Sequence, residues 1–115
     1  MPEFEFKTRE RDIEAYLRDQ TRIKLSGTAY KFVSPGNTGV PDRFLALPIG
    51  FGVFVELKAP GKKSTEKQKL QQARLKKFGF IVFADIDSKE KVDQVIDYCA
   101  DLIKRHRDRI IDQPL

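Results

Sequence analysis

A short stretch near the middle of the chain is apolar at first, and over its last four residues apolar and charged side chains alternate. Residues 51–58, FGVFVELK, are rich in aromatic and β-branched side chains, and glycines before them and Pro60-Gly61 after them mark turns. This composition predicts a β-strand. Because successive side chains of a strand point to opposite faces, Glu56 and Lys58 are expected on one face, about 7 Å apart.

A second apolar run, from Arg43 to Leu47, precedes this strand, and the short Pro48-Ile49-Gly50 link predicts a hairpin between the two. In such a hairpin Asp42 begins one strand close to the end of the other. Two carboxylates and the ammonium group of Lys58 would then converge. Carboxylate oxygens suit Mg²⁺ or Mn²⁺, so the pattern predicts a divalent metal site.

The N-terminal part is predicted to form a helix and a short strand. Thr8 is a suitable N-cap, and Ile13 and Leu17 fall on one side of the helix that follows. The helix is expected to end before the segment 20–27. A strand is expected over residues 29–33, where aromatic positions alternate with a lysine.

The C-terminal half predicts a helix from Thr65 to about Phe78, ended by Gly79, and then the apolar strand FIVFA over residues 80–84. A strand, a helix and a strand at this spacing predict a parallel pair with a right-handed crossover. The apolar strand is therefore expected beside the strand of Glu56, in the interior of the sheet. A last helix follows a cap at Asp87 or Ser88, and its apolar positions are Val92, Val95, Ile96, Cys99, Leu102 and Ile103.

Length and composition limit the class of protein. At 115 residues the chain is expected to be one domain, with a core over residues 8–103 and a polar tail over 104–115. Cys99 is its single cysteine, which excludes an internal disulfide and indicates an inert core thiol. The N-terminal segment is charged from residue 3, and the longest apolar stretch, 49–55, is too short for a membrane span. A cytoplasmic location without a membrane partner is expected.

The net charge of +5 and the pI near 9.4 favour a polyanionic partner, because lysines and arginines that neutralise phosphates release counterions. Charge alone leaves open that these side chains are simply solvated. A glycine-rich loop over residues 34–39 could offer backbone N–H groups to a phosphate, or merely permit a tight turn. The candidate DNA-contacting residues are Lys31, Ser34, Gly36, Arg43, Lys62 and Lys63.

Three motifs together carry a resemblance to a known family. They are GVPDR over residues 39–43, FVELK over 54–58 and STEKQ over 64–68. Their order resembles the VRR-NUC family of the PD-(D/E)xK nuclease superfamily, and the resemblance covers nearly the whole chain. It implies an α/β fold with a restriction-endonuclease-like core, in which a mixed sheet of about four strands is flanked by helices in the order α-β-β-β-α-β-α.

The resemblance also implies roles for individual residues. Asp42, Glu56 and the backbone carbonyl of Leu57 would hold one or two Mg²⁺ or Mn²⁺ ions, helped by an acid on the first helix. Lys58 would orient the attacking water or stabilise the developing charge, and Gln68 would position Lys58 or the nucleophile. The spacing of Thr65 and Gln68 is equally that of a helix-capping box, and the two interpretations are compatible.

The helix acid has two candidates. At about 100° per residue, Glu10 lies nearer the apolar stripe of the first helix than Glu14 does, so Glu10 is preferred for the metal site and Glu14 is the alternative. Glu10 is also explained by the preference for acids in the first turn of a helix.

The function implied is a metal-dependent DNA endonuclease that acts on structured DNA as a homodimer, similar to Holliday junction resolvases, without a nucleotide cofactor. Flap cleavage or nicking are alternatives within this class. A non-catalytic DNA-binding module with the same fold would need only a structural salt bridge between Glu56 and Lys58, although this leaves Asp42 unexplained. A third possibility is an adaptor that uses Phe4, Phe6 and the last helix.

Overall fold

The computed structural model describes residues 8–108. Phe4, Phe6 and the end of the expected polar tail lie outside these residues. The order α-β-β-β-α-β-α is confirmed, with a short 3₁₀ turn at Pro48–Gly50 between the second and third strands. The elements are α1 (Glu10–Leu25), β1 (Thr28–Lys31), β2 (Arg43–Ala46), β3 (Gly52–Leu57), α2 (Glu66–Lys77), β4 (Ile81–Ile86) and α3 (Lys89–His106).

The four strands form one mixed sheet in the order β1-β2-β3-β4. β1 and β3 are both antiparallel to β2, while β3 and β4 are parallel. The predicted hairpin and the predicted parallel pair are both confirmed, as is the α/β class. The interior position expected for the strand at residues 80–84 is wrong, because β4 lies at the edge of the sheet. The apolar composition of β4 is explained by the helices α2 and α3, which both pack against it.

The core lies between one face of the sheet and the helices α1 and α3. Cys99 is fully buried there, as expected, and burial raises the pKa of its thiol to about 11. None of the helices described between residues 8 and 108 is long and apolar enough to cross a membrane. The largest fully buried side chains of the core are those of Ile13, Leu17, Leu45, Leu57 and Ile96.

The first helix differs from its prediction at both ends. Arg9, not Thr8, is the N-cap residue, and its backbone N–H donates to the carboxylate of Asp12 at 2.9 Å. The helix also continues to Leu25, beyond the expected end at residue 20. Thr21 and Leu25 extend the apolar stripe by one and two further turns and are buried. Burial against the sheet therefore outweighs the weak helix propensity of this polar segment.

The caps of the other two helices match the prediction. Thr65 caps α2, Ser88 caps α3, and Gly79 follows α2 with a positive φ of 97°. The segment from Lys104, expected to begin a polar tail, remains helical as far as His106.

The other face of the sheet carries a cluster of aromatic rings. Phe54 stands at its centre, and its ring centroid lies 5.1–5.5 Å from those of Phe32, Phe44 and Phe80, all in edge-to-face geometry. Helix α2 packs against β4 on this side. Tyr30 and Phe80 remain 56% and 46% exposed. We call Tyr30, Phe32, Phe44, Phe54 and Phe80 the aromatic face.

Candidate active site

Asp42 and Glu56 face each other across the hairpin. Arg43 pairs with Val55 in the β2–β3 ladder, so the preceding Asp42 lies opposite Glu56, on the same face of the sheet. One carboxylate oxygen of Asp42, Oδ1, accepts a hydrogen bond from the backbone N–H of Leu57 at 2.9 Å. The hairpin thus brings the two acids together and fixes the orientation of Asp42.

Glu56 carries the most unusual side chain of the site. It is only 3% exposed, and its Oε1 has no hydrogen-bond partner within residues 8–108. Its Oε2 lies 3.5 Å from the amide nitrogen of Gln68, at the limit of a hydrogen bond. Burial, followed by the charge of Asp42, raises the pKa of Glu56 from 4.5 to about 7, although the charge of Lys58 acts in the opposite direction. Among residues 8–108, the charge of Lys58 therefore does not offset the cost of burying this carboxylate beside Asp42.

Lys58 and Gln68 form a direct contact. The ammonium nitrogen of Lys58 donates to Oε1 of Gln68 at 2.5 Å, and the same oxygen accepts the backbone N–H of Thr65 at 2.9 Å. The backbone N–H of Gln68 donates in turn to the hydroxyl of Thr65 at 3.2 Å. Gln68 therefore completes the capping box of α2 and holds Lys58 with one side chain, as the two compatible interpretations required.

The two candidate acids of α1 have different surroundings. Glu14 pairs with Arg18 at 2.9 Å, whereas the charge of Glu10 acts on Glu56 and contributes to its raised pKa. Of the two, Glu10 is the acid whose charge reaches the site. A cavity of about 310 Å³ beside the site is lined by Glu10, Arg11, Glu14, Lys31, Asp42 and Arg43.

Gly39 lies in the turn before Asp42 and packs against the first turn of α2. It has a positive φ of 92°, and a Cβ atom there would lie 2.9 Å from the backbone carbonyl of Lys67. Glycine is therefore required both by conformation and by close approach. This contact places the turn of Asp42 against the helix that carries Gln68.

Lys31 and Arg43 reach the site only at its edge. They pair across β1 and β2, which puts both on the face opposite that of Glu56. Arg43 folds back and donates to the backbone carbonyl of Asp42 at 2.8 Å, with the Asp42 carboxylate 3.4 Å away. Lys31 is exposed beside the cavity. Of these two, Lys31 has the side chain accessible to a phosphate.

The remaining DNA-binding candidates lie in two loops. The hydroxyl of Ser34 accepts from the side chain of Asn37 at 2.9 Å and so stabilises a local turn, in which Gly36 has a positive φ of 84° and open space around it. Lys62 and Lys63 are exposed in the turn after β3.

A group of polar residues beside the site escaped the sequence analysis. Asp85 near the end of β4 accepts two hydrogen bonds from Ser64, and the buried Gln72 donates to the hydroxyl of Ser64 at 2.9 Å. An aspartate that follows an apolar strand beside the strand of Glu56 was the available signal. Its partners are far away in sequence, however, and only the fold brings them together.

The residues fit a divalent cation in their chemistry. Asp42 and Glu56 offer oxygen ligands, and Oε1 of Glu56 is buried without a hydrogen-bond partner among the described residues. In the arrangement described, no three His, Cys, Asp or Glu side chains of residues 8–108 form a complete ligand cluster. Mg²⁺ does not require one, because it keeps several waters and is commonly held by one or two carboxylates together with substrate phosphates.

Comparisons with known proteins agree with this fold. The chain is 51% identical over 82 residues to the protein named "Putative nuclease p44" of Acyrthosiphon pisum secondary endosymbiont phage 1, covering 71% of this chain and 86% of that protein. A solved structure described as "VRR_NUC domain" superposes with a TM-score of 0.71 at 30% identity, covering 79% of this chain and 97% of the other. No protein-family model matches the chain.

These similarities and the mixed sheet define a nuclease of the PD-(D/E)xK class. The chain belongs to the VRR-NUC family. The resemblance read from the three motifs is confirmed.

Proposed function

We propose that this protein is a Mg²⁺- or Mn²⁺-dependent endonuclease that hydrolyses phosphodiester bonds in DNA. The observation that carries the proposal is Oε1 of Glu56, which is buried and has no hydrogen-bond partner in the part of the chain that the structure describes. Asp42 lies opposite Glu56 in the hairpin, and Lys58 stands on the same strand face. A carboxylate pair without a neutralising partner is unfavourable in a protein interior unless a cation joins it. The VRR-NUC fold supports the same conclusion.

Asp42, Glu56 and the backbone carbonyl of Leu57 would hold the metal ion, with Glu10 acting through water. When bound, the ion would stabilise charge on the scissile phosphate and lower the pKa of a water ligand. The Leu57 N–H keeps Asp42 oriented towards the end of β3, where Glu56 also lies. The two acids thus need little rearrangement to act together.

Lys58 supplies the positive charge of the site. Its ammonium group is held by Oε1 of Gln68, which leaves further N–H donors for a water molecule or a phosphate oxygen. Held in this way, it orients the attacking water and stabilises the charge that develops on the phosphate. Gln68 acts as a positioning residue, because its own side chain is fixed by the cap of α2.

The substrate proposed is branched DNA, with a four-way junction preferred. The basic turn at Lys62 and Lys63 follows the strand of Glu56 and Lys58 directly, so it can contact the DNA backbone on either side of the cut. A reducing cytoplasm, where a buried thiol such as that of Cys99 stays free, is the proposed location.

Paired cuts across a junction need two sites, and each chain provides one. We therefore include a symmetric homodimer in the proposal. The aromatic face, with Tyr30 and Phe80 about half exposed, supports packing against a second copy. Replacing both residues with serine should give a monomer in light scattering that still nicks DNA but loses paired cutting. A double variant that remains a dimer would exclude this surface.

The first experiment is cleavage of labelled four-way junction, flap, nicked, duplex and single-stranded DNA with Mg²⁺ or Mn²⁺. Asp42→Ala and Lys58→Ala are compared with Asp101→Ala and Lys77→Ala, two exposed residues of α3 and α2. Paired symmetric cuts by wild type and both controls, with both site variants inactive, support the proposal. Retention of the junction without cleavage by every variant would instead favour a non-catalytic binding module, and cleavage restricted to flaps or nicks would exclude a junction preference.

A further inference from the structure

The strand β4 contains an irregularity directly beside Glu56. Val55 pairs with Phe83 and Leu57 with Ile86, so one residue of β3 is matched by two residues of β4. The second of these two, Asp85, has a φ of +56°, in the left-handed region that side chains other than asparagine and aspartate seldom adopt. Bulges and strained residues cluster at functional sites, where they redirect a side chain.

One oxygen of the redirected carboxylate of Asp85, Oδ1, accepts two hydrogen bonds from Ser64. It accepts the backbone N–H of Ser64 at 2.7 Å and its hydroxyl at 2.6 Å, while Gln72 donates to that hydroxyl. Ser64 and Gln72 are 8% and 6% exposed. Burial acts to raise the pKa of Asp85, but the hydrogen bonds from Ser64, together with the charges of Lys63 and Lys58, lower it overall. Asp85 is therefore a charged acceptor, the stronger kind of hydrogen-bond partner.

Ser64 stands immediately before the cap of α2. The next residue, Thr65, donates its backbone N–H to Oε1 of Gln68, and that same oxygen accepts from Lys58. Fixing Ser64 consequently fixes the cap, and the cap fixes the oxygen that holds the lysine. Without this anchor, the segment from Lys58 to Thr65 would still be tied to β4 by the backbone bond from Lys58 to Ile86 at 3.0 Å, and to Asp87 by Gly61 at 3.1 Å.

We propose that Asp85 is a positioning residue of the nuclease site, which acts through Ser64 and the α2 cap to hold Gln68 against Lys58. This inference rests on the proposed nuclease function for its effect on cleavage. Its effect on the α2 cap does not depend on that function. The bulge provides the necessary geometry, because a regular strand would direct this carboxylate along the sheet normal and not towards the loop.

Two substitutions separate the hydrogen bonds from the backbone conformation. Asp85→Asn keeps an acceptor oxygen and tolerates a positive φ, whereas Asp85→Gly relieves the strain but removes the acceptor. Because neither variant opposes the local backbone, both are expected to fold. Tyr16→Phe is the matched control, since it removes the 2.7 Å hydrogen bond from Tyr16 to Asp93 on the far side of the molecule.

Two readouts are measured on the full chain. Amide hydrogen exchange by NMR, without metal or DNA, is expected to accelerate about tenfold at Thr65 and Gln68 in Asp85→Gly, as the loss of one charged hydrogen bond predicts. Junction cleavage with Mg²⁺ is expected to show kcat about tenfold lower with KM little changed, because Lys58 acts in the transition state. Tyr16→Phe should stay close to wild type in both measurements, and Asp85→Asn, which keeps only a neutral acceptor, should fall between wild type and Asp85→Gly.

Wild-type exchange at Thr65 in Asp85→Gly would overturn the proposal. So would an Asp85→Asn variant as impaired as Asp85→Gly, because charge rather than hydrogen bonding would then be the cause. Faster exchange with unchanged kcat would show that Asp85 stabilises the α2 cap but does not position the nuclease site. If wild type cleaves none of the DNAs, the proposed function fails while the exchange data still decide whether Asp85 holds the cap.

Discussion

Gln68 accepts a hydrogen bond from Lys58 at 2.5 Å with the same oxygen that caps the helix α2. The amide nitrogen of Gln68 faces Glu56. One neutral side chain therefore stands between the lysine and the buried acid. This arrangement keeps Lys58 available to a substrate, because a direct ion pair with Glu56 would engage its charge.

Replacing Gln68 with alanine should lower kcat by about tenfold with little change in KM, since the loss concerns the orientation of Lys58. It should also lower the free energy of unfolding by about 1 kcal/mol, because the helix cap loses a hydrogen bond. Steady-state cleavage and urea unfolding measure the two effects. Gln71→Ala, on the same helix and farther from Lys58, is the control, and an equal loss of kcat there would contradict the assigned role.

Titration of Glu56 should make the metal-free protein less stable at pH 7 than at pH 4.5. Its pKa in the folded protein, about 7, exceeds the ordinary 4.5, so the folded state retains a proton that the unfolded chain releases. The free energy of unfolding should therefore fall as the pH rises from 4.5 to 7, by an amount on the order of 3 kcal/mol.

Glu56→Gln removes this titration and should be more stable than wild type at pH 8 without metal. Adding Mg²⁺ at pH 8 should stabilise wild type, because the ion binds the folded state, and should leave Glu56→Gln unchanged. Denaturant unfolding across the pH range tests both statements, with the exposed Glu66→Gln as control. A Glu56→Gln variant less stable than wild type at pH 8 would show that the carboxylate has a partner that the geometry does not reveal.

Glu10 and Glu14 should differ in their effect on metal binding. Glu10→Gln is expected to raise the half-saturating Mg²⁺ or Mn²⁺ concentration several-fold, because the charge of Glu10 reaches Glu56. Glu14→Gln should leave it nearly unchanged and cost less than about 0.5 kcal/mol of stability, the usual contribution of an exposed helical pair such as that with Arg18. Calorimetric titration of the metal compares them, and the reverse order would reassign the helix acid to Glu14.

The double variant Lys62→Ala/Lys63→Ala should bind DNA more weakly without a change in kcat at saturating DNA. Removing one lysine that neutralises a phosphate reduces the slope of log affinity against log salt by about 0.9. Binding measured between low and high salt should therefore show a slope reduced by up to about 2. Lys76→Ala/Lys77→Ala, at the other end of α2, serves as the charge-matched control. Identical slopes for both double variants would show that the turn after β3 does not touch the DNA.

Several features were predictable because they depend on neighbours in the sequence. Strand periodicity placed Glu56 and Lys58 on one face, a short link required the hairpin, and the spacing of Thr65 and Gln68 gave the capping box. Each follows from backbone geometry over a few residues. For the same reason the order of elements and the meeting of Asp42 with Glu56 could be predicted.

Other features were decided by contacts between residues distant in the sequence. The edge position of β4 depends on which strands find partners, and the true end of α1 depends on where Thr21 and Leu25 are buried. The unpartnered oxygen of Glu56 and the contact of Asp85 with Ser64 exist only once strands, loop and helix have packed together. Local patterns specify the elements and the face on which each side chain lies. Burial, register and charge proximity are properties of the assembled sheet and helices, and they determine how reactive those side chains are.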